Sequence, residues 1–174
     1  MKGATAVIVQ SERLGPQRVR EEDIIHFPEG IPGFEGLHRY VLLAPHGEDS
    51  PVRVLQAVDD PAVSFIVTDP RTVRPDYVPV LQEADWQALG CQGPDLPPQV
   101  EVWAILTVYD RPELMTVNLL APVLIHRAAR RGRQVVQVNT SFSVRHNVLE
   151  ELARVAPEVK ASPAPSSSVR AVGE

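Results

Sequence analysis

Lysine is almost missing from this sequence: Lys2 and Lys160, one near each end, are the only two. This excludes a phosphate-cradling loop with its lysine, and a core lysine able to form a Schiff base. Cysteine is scarcer still. A single thiol, Cys91, can make neither an internal disulfide nor a structural zinc site. A catalytic thiolate there would need a histidine close in space, and sequence does not supply that distance. No apolar run approaches the roughly 20 residues that cross a bilayer. The segment Met1 to Gln10 lacks the apolar core and cleavage site of a secretory signal, so a cytoplasmic location is expected by default. Positive charge is also in deficit. Seventeen Lys and Arg face 22 Asp and Glu, a net charge of −5. That argues against general affinity for nucleic acid or an anionic membrane, and favours a basic partner. Beyond Ala156, Glu158 and Glu174 cancel Lys160 and Arg170, so residues 1–156 carry the whole −5.

What is plentiful is proline, 17 in 174 residues, 14 of them between Pro16 and Pro122. Proline at that density leaves little room for long helices. Between the prolines lie short runs rich in Val, Ile and Leu. They predict strands at 6–9, 23–27, 39–43, 52–58, 63–68, 100–109, 114–119, 123–128 and 134–139. Short strands with turn residues between them indicate a mainly β chain, a single compact antiparallel barrel-like domain with one or two short helices. Asp59-Asp60-Pro61 supplies a turn, since Asp favours turn positions and Pro presets φ. Arg130-Arg131-Gly132-Arg133 has the composition of a hairpin tip. Leu81 to Leu89 predicts one helix, and Ser143 or Arg145 to Val155 a second, with Val144, Val148, Leu149, Leu152 and Val155 at helical spacing. From Pro157 to Glu174 the composition turns small, polar and Pro-rich. Such a segment cannot bury enough apolar surface to offset its ordering entropy, so residues 1–156 form the expected domain and 157–174 a disordered tail.

A search for chemistry returns little. The histidines, 26, 38, 46, 126 and 146, show no i, i+4 pair of metal-ligand type. No metal or cofactor is expected. Gly30, Gly33 and Gly36 follow a predicted strand, but Pro32 and the neighbouring turn formers make a loop rather than a dinucleotide-binding helix start. Glu29, Glu35, Asp59, Asp60, Asp69, Asp76 and Asp85 mostly adjoin proline or glycine, as turn-forming acids do. The arginines 127, 130, 131 and 133 form either a small anion patch or a solvated hairpin tip.

Several phrases resemble the FliW family of flagellar assembly factors: Ile25-His26-Phe27-Pro28-Glu29-Gly30-Ile31-Pro32-Gly33-Phe34-Glu35, then Val54-Leu55-Gln56-Ala57-Val58-Asp59-Asp60-Pro61, Phe65-Ile66-Val67-Thr68-Asp69-Pro70, and Asn118-Leu119-Leu120-Ala121-Pro122. The resemblance runs from about Arg18 to about Leu149. Pro28, Ala57 and Thr68 depart from the family wording conservatively. The resemblance implies a β-barrel-like, non-enzymatic assembly factor, chaperone-like in its handling of flagellin. It implies two exchangeable protein partners, flagellin and CsrA, the carbon storage regulator that represses flagellin translation. Flagellin export would free the protein to capture CsrA and antagonise it non-competitively. A monomer is expected, with no direct contact to nucleic acid or membrane.

Phe34 and Glu35 in one loop, and Asp69, Asp76 and Tyr77 in another, are the expected partner-binding residues. A loop aromatic beside a carboxylate can combine a buried anchor with a steering charge. Phe27, Leu55, Phe65, Val102, Trp103, Leu119 and Ile125 are the expected core. The alternative function is a small β-barrel enzyme, a hydrolase or reductase built on the loop carboxylates.

Overall fold

The computed structural model describes residues 3–91, 99–138 and 140–160. Eleven strands and two helices follow in chain order: β1 (Ala6–Val9), β2 (Gln17–Arg20), β3 (Ile24–His26), β4 (Arg39–Leu43), β5 (Val52–Ala57), β6 (Ser64–Thr68), α1 (Glu83–Ala88), β7 (Val100–Thr107), β8 (Thr116–Val117), β9 (Val123–His126), β10 (Arg131–Gln134), β11 (His146–Asn147) and α2 (Val148–Lys160).

Seven of these strands close on themselves in the order β7-β6-β5-β4-β3-β10-β9, with β9 returning to β7. Every pairing is antiparallel except one, where β10 meets β3 in parallel at Arg131 and His26. The long strand β7 makes closure possible by dividing one of its flanks. Val100 to Trp103 pair with β9, while Leu106 and Thr107 pair with β8. The pair β1–β2 forms a separate hairpin.

Period-two alternation sorts the side chains. Ile25, Phe27, Tyr40, Leu55, Ala57, Val67, Trp103, Val123 and Ile125 fill one buried cluster, the barrel interior. Their strand neighbours face outward. Val41, Leu43 and Val54 pack with Val9 of the β1–β2 hairpin. Val100, Val102, Ala104 and Leu124 pack with Val73, Tyr77 and Leu89. The first group is closed off at one end by Arg53, whose guanidinium lies 5.6 Å from the Trp103 ring centre and donates to carbonyls of Gly47, Glu48 and Ser50. Gly132 is required by packing: a Cβ there would stand 2.3 Å from Phe27 Cζ.

Strands β1 and β4 have the bounds expected from sequence, and all seven expected core residues are buried or half-buried. Elsewhere the structure differs. The hairpin reversal lies at Arg127 to Arg130, with Arg130 at φ 54° and its amide bonded to the Arg127 carbonyl. Arg131-Gly132-Arg133 is strand β10 rather than a tip. The strand expected at 134–139 is displaced because the alternation of Val135, Val136, Gln137 and Val138 continues an extended segment. That segment donates from Val135 and Gln137 to the carbonyls of Pro122 and Leu120; Asn139 lies outside the described residues. Strand β2 was not expected, since Gln-Arg-Val-Arg offers one apolar residue. The 114–119 run is cut to two strand residues by a 3-10 turn at Pro112–Leu114. Helix α1 is shorter than 81–89, opening at Gln82 through a capping box with Asp85. Helix α2 begins at Val148 and continues across Pro157 to Lys160, so the break expected at Pro157 does not end it. Residues 161–174, the rest of the expected tail, lie outside the described residues.

Candidate docking surface

The loop between β3 and β4 is shaped by glycine and fixed by hydrogen bonds. Gly30 (φ 68°) leaves no room for a side chain, since a Cβ would approach the Glu35 Cα to 2.7 Å. Ile31 and Phe34 form an isolated antiparallel bridge, and the Ile31 side chain is buried in the barrel cluster. This anchors the loop and turns Phe34 outward. Phe34 keeps 38% of its surface exposed while meeting Phe65 edge to face, with centroids 5.3 Å apart. Beside it, the Glu35 carboxylate accepts from the Gly33 amide at 2.9 Å. That bond, with a second from its own backbone, lowers the Glu35 pKa from the usual carboxylate value, so the side chain is charged at neutral pH.

The second loop is built differently. Asp69 caps the 3-10 turn Pro70–Thr72, and its Oδ1 accepts from the Arg71 amide at 2.9 Å and from Arg71 Nε at 3.2 Å. Its charge is shared locally. Asp76 is exposed. Tyr77 is 3% exposed and donates its hydroxyl to the Leu119 carbonyl at 2.7 Å; burial raises the phenol pKa. An exposed aromatic anchor at Tyr77 is therefore replaced by a core pillar. Nor do the two loops form one continuous surface by sequence proximity. Phe34 touches Phe65 at the start of β6, and Asp69 follows its end. Four strand residues put those points about 13 Å apart.

Most of the other acids singled out from sequence have cationic or backbone partners. Asp59 pairs with Arg39, which lowers its pKa chiefly through the side-chain hydrogen bond. Asp85 accepts from Arg133 at 2.9 Å and from the Gln82 amide at 2.8 Å, Glu29 pairs with Arg133, and Asp60 accepts from the Ala62 amide at 3.0 Å. The histidine that Cys91 would need is present in space: Cys91 Sγ lies 3.4 Å from His126 Nδ1. That nitrogen is also 2.8 Å from the Leu89 carbonyl, which can only accept, so Nδ1 carries its proton and is not free to take one from the thiol. Burial raises the thiol pKa further. The pair has the arrangement of a packed thiol rather than an activated one. Among the described residues no group of three or more His, Cys, Asp and Glu is placed to hold a metal ion, and no helix is long and apolar enough to cross a membrane.

One helical cluster escaped the sequence reading. Glu151 on α2 is 2% exposed and is met by Arg74 at 3.2 Å, His146 Nδ1 at 3.0 Å and Arg154 at 3.4 Å. Arg74 also lies over the Phe142 ring, 5.2 Å from its centre, and Phe142 packs on Tyr77. The Ser143 amide donates to His146 Nε2 at 2.8 Å, which leaves Nδ1 to donate to Glu151. The available signal was an acid interrupting the apolar spacing of Val148 and Val155.

Fold and surface together define a class: a small closed β-barrel whose distinctive groups stand on loops outside a packed interior. The model of the FliW protein family matches residues 8–148, and the chain belongs to that family. It is 35% identical over 144 residues to the flagellar assembly factor FliW of Caldanaerobacter subterraneus subsp. tengcongensis, covering 83% of this chain and 94% of the relative. It is 41% identical over 143 residues to that of Desulfitobacterium hafniense, covering 82% and 91%. A crystal structure of the flagellar assembly factor FliW superposes with a TM-score of 0.72 at 33% identity, over 82% of this chain and 96% of that one.

Proposed function

We propose that this protein is a cytoplasmic, monomeric regulator that binds flagellin and, when free of it, captures the translational repressor CsrA and antagonises it non-competitively. The observation that carries this reading is membership of the flagellar assembly factor family over nearly the whole barrel. A net charge of −5 agrees with a basic partner such as CsrA, because opposite charge raises encounter rate and excludes wrong partners. Phe34 and Glu35 are the residues proposed for contact, the ring as anchor and the carboxylate as steering charge, with Asp76 as an outlying charge. Asp69 contributes by holding its turn, and Tyr77 by supporting the loop from within.

Calorimetry with purified CsrA and flagellin tests the reading. Both should bind, each should displace the other, and excess target RNA should lower the affinity for CsrA only by a finite factor that saturates, as linkage requires of a non-competitive antagonist. Phe34→Ala with Asp76→Ala should weaken CsrA binding by about tenfold, the scale of a single interface anchor. Failure to bind either protein would sink the assignment. Full affinity in a folded double variant would move the contact elsewhere on the barrel.

A further inference from the structure

The single parallel junction of the barrel sets two arginines and a histidine in register. Arg131 on β10 stands opposite His26 on β3, and His26 stands opposite Arg39 on β4. All three are exposed and point outward, since Gly132 abuts Phe27 while Ile25, Phe27 and Tyr40 point into the barrel. They line a shallow concavity of about 450 Å³ with Ile24, Ala129 and Arg130, and no carboxylate contributes to its wall. Arg39 is paired with Asp59, with Glu21 adding a weaker field. Among the described residues no acid lies within ion-pair distance of Arg131 or His26. Arg130, the only non-glycine residue with positive φ among the described residues, adds a further positive charge. Its guanidinium is steered by the carbonyls of Ile24 at 3.0 Å and Glu21 at 2.8 Å, which orient it without neutralising it.

We propose that this concavity is a docking site for an acidic segment of a partner protein, one that carries adjacent carboxylates. The row crosses three strands at about 4.8 Å each and so spans about 10 Å. That length suits two or more carboxylates along a chain better than one small oxyanion. In a protein of net charge −5, such a local reversal of sign orients a partner, because an acidic segment is accepted here and repelled elsewhere. The site lies on the strand pair at the base of the Phe34–Glu35 loop and does not depend on which partners that loop binds.

Fluorescence anisotropy of the full chain with a labelled hexaglutamate peptide at low salt tests the inference. Hexaglutamine and inorganic phosphate serve as alternative probes. Hexaglutamate should bind saturably and hexaglutamine not at all. Arg131→Gln should weaken binding at least about fivefold, whereas Arg18→Gln, the same charge change at an exposed position on β2, should change it less than about twofold. Equal losses in the two variants would reduce the effect to net charge and overturn the site. Phosphate displacing the peptide at equal concentration would overturn the extended-segment reading, and absence of saturable binding would overturn both. Unchanged thermal melting of Arg131→Gln confirms that a loss reflects the site rather than the fold.

Discussion

A methyl group added at Gly30 would meet the Glu35 backbone at 2.7 Å, in a region of φ that side chains avoid. Both effects act together, so Gly30→Ala should lose about 2–4 kcal/mol of stability, read as a fall in the urea midpoint at unchanged slope. Gly33→Ala is the matched comparison. Its φ is 91° but nothing lies within 4 Å of the added Cβ, so the loss should be about 1 kcal/mol. Phe27 illustrates the other residue-scale constraint. It is fully buried, against Gly132 and 4.9 Å from Tyr40, and Phe27→Ala should cost about 3–5 kcal/mol by emptying the barrel centre. Tyr40 itself sits in that interior with a phenol pushed up to about 12 by burial and with no described partner for its hydroxyl. Tyr40→Phe should therefore be neutral or slightly stabilising in a thermal melt, since it removes a buried polar atom without opening a bond.

At the scale of elements, α2 depends on a charge. Its described apolar contacts are thin, with Val148 buried, Val155 half-buried and Leu149 and Leu152 exposed, while Glu151 ties it to Arg74 and His146. Burial alone would raise the Glu151 pKa, but hydrogen bonds from Arg74 and His146 and the charges of Arg74 and Arg154 outweigh it, and the net shift is downward. A depressed carboxylate pKa contributes stability above its unfolded value and loses it as pH falls through the folded value. The protection factors of α2 amides, taken relative to intrinsic exchange at each pH, should therefore fall below about pH 4 while those of the barrel strands are kept. Glu151→Gln should give α2 the same loss of protection at pH 7, and retained protection would show that packing alone holds the helix.

Sequence legibility also divides by element. Strands β1 and β4 were readable because Ala-Val-Ile-Val and Arg-Tyr-Val-Leu-Leu are apolar runs bounded by polar or turn residues. Strand β10 was not, because Arg-Gly-Arg-Gln looks like a turn. Its place in the barrel comes from pairing with β9 and from the space Gly132 leaves for Phe27, a long-range fact without a local signature. Among the candidate residues, Phe34 and Glu35 could be placed on a loop from their glycines. The burial of Tyr77 could not be foreseen, because it depends on a hydroxyl reaching a carbonyl 42 positions away.

At the scale of the whole molecule, the two charge patterns make opposite demands on salt. Binding of a basic partner to the acidic barrel should slow in association rate as ionic strength rises from 50 to 500 mM, about 14 Å to 4 Å in screening length, with a smaller change in dissociation rate. Stopped-flow kinetics with CsrA would separate these, and an association rate insensitive to salt would remove charge steering from the account.

The divided flank of β7 reaches further than the barrel it closes. With one half of that edge given to β9 and the other to β8, that flank of β7 presents no open row of amides and carbonyls to a neighbouring chain. Recognition across that part of the barrel wall must therefore be read from side chains and loops rather than by adding a strand.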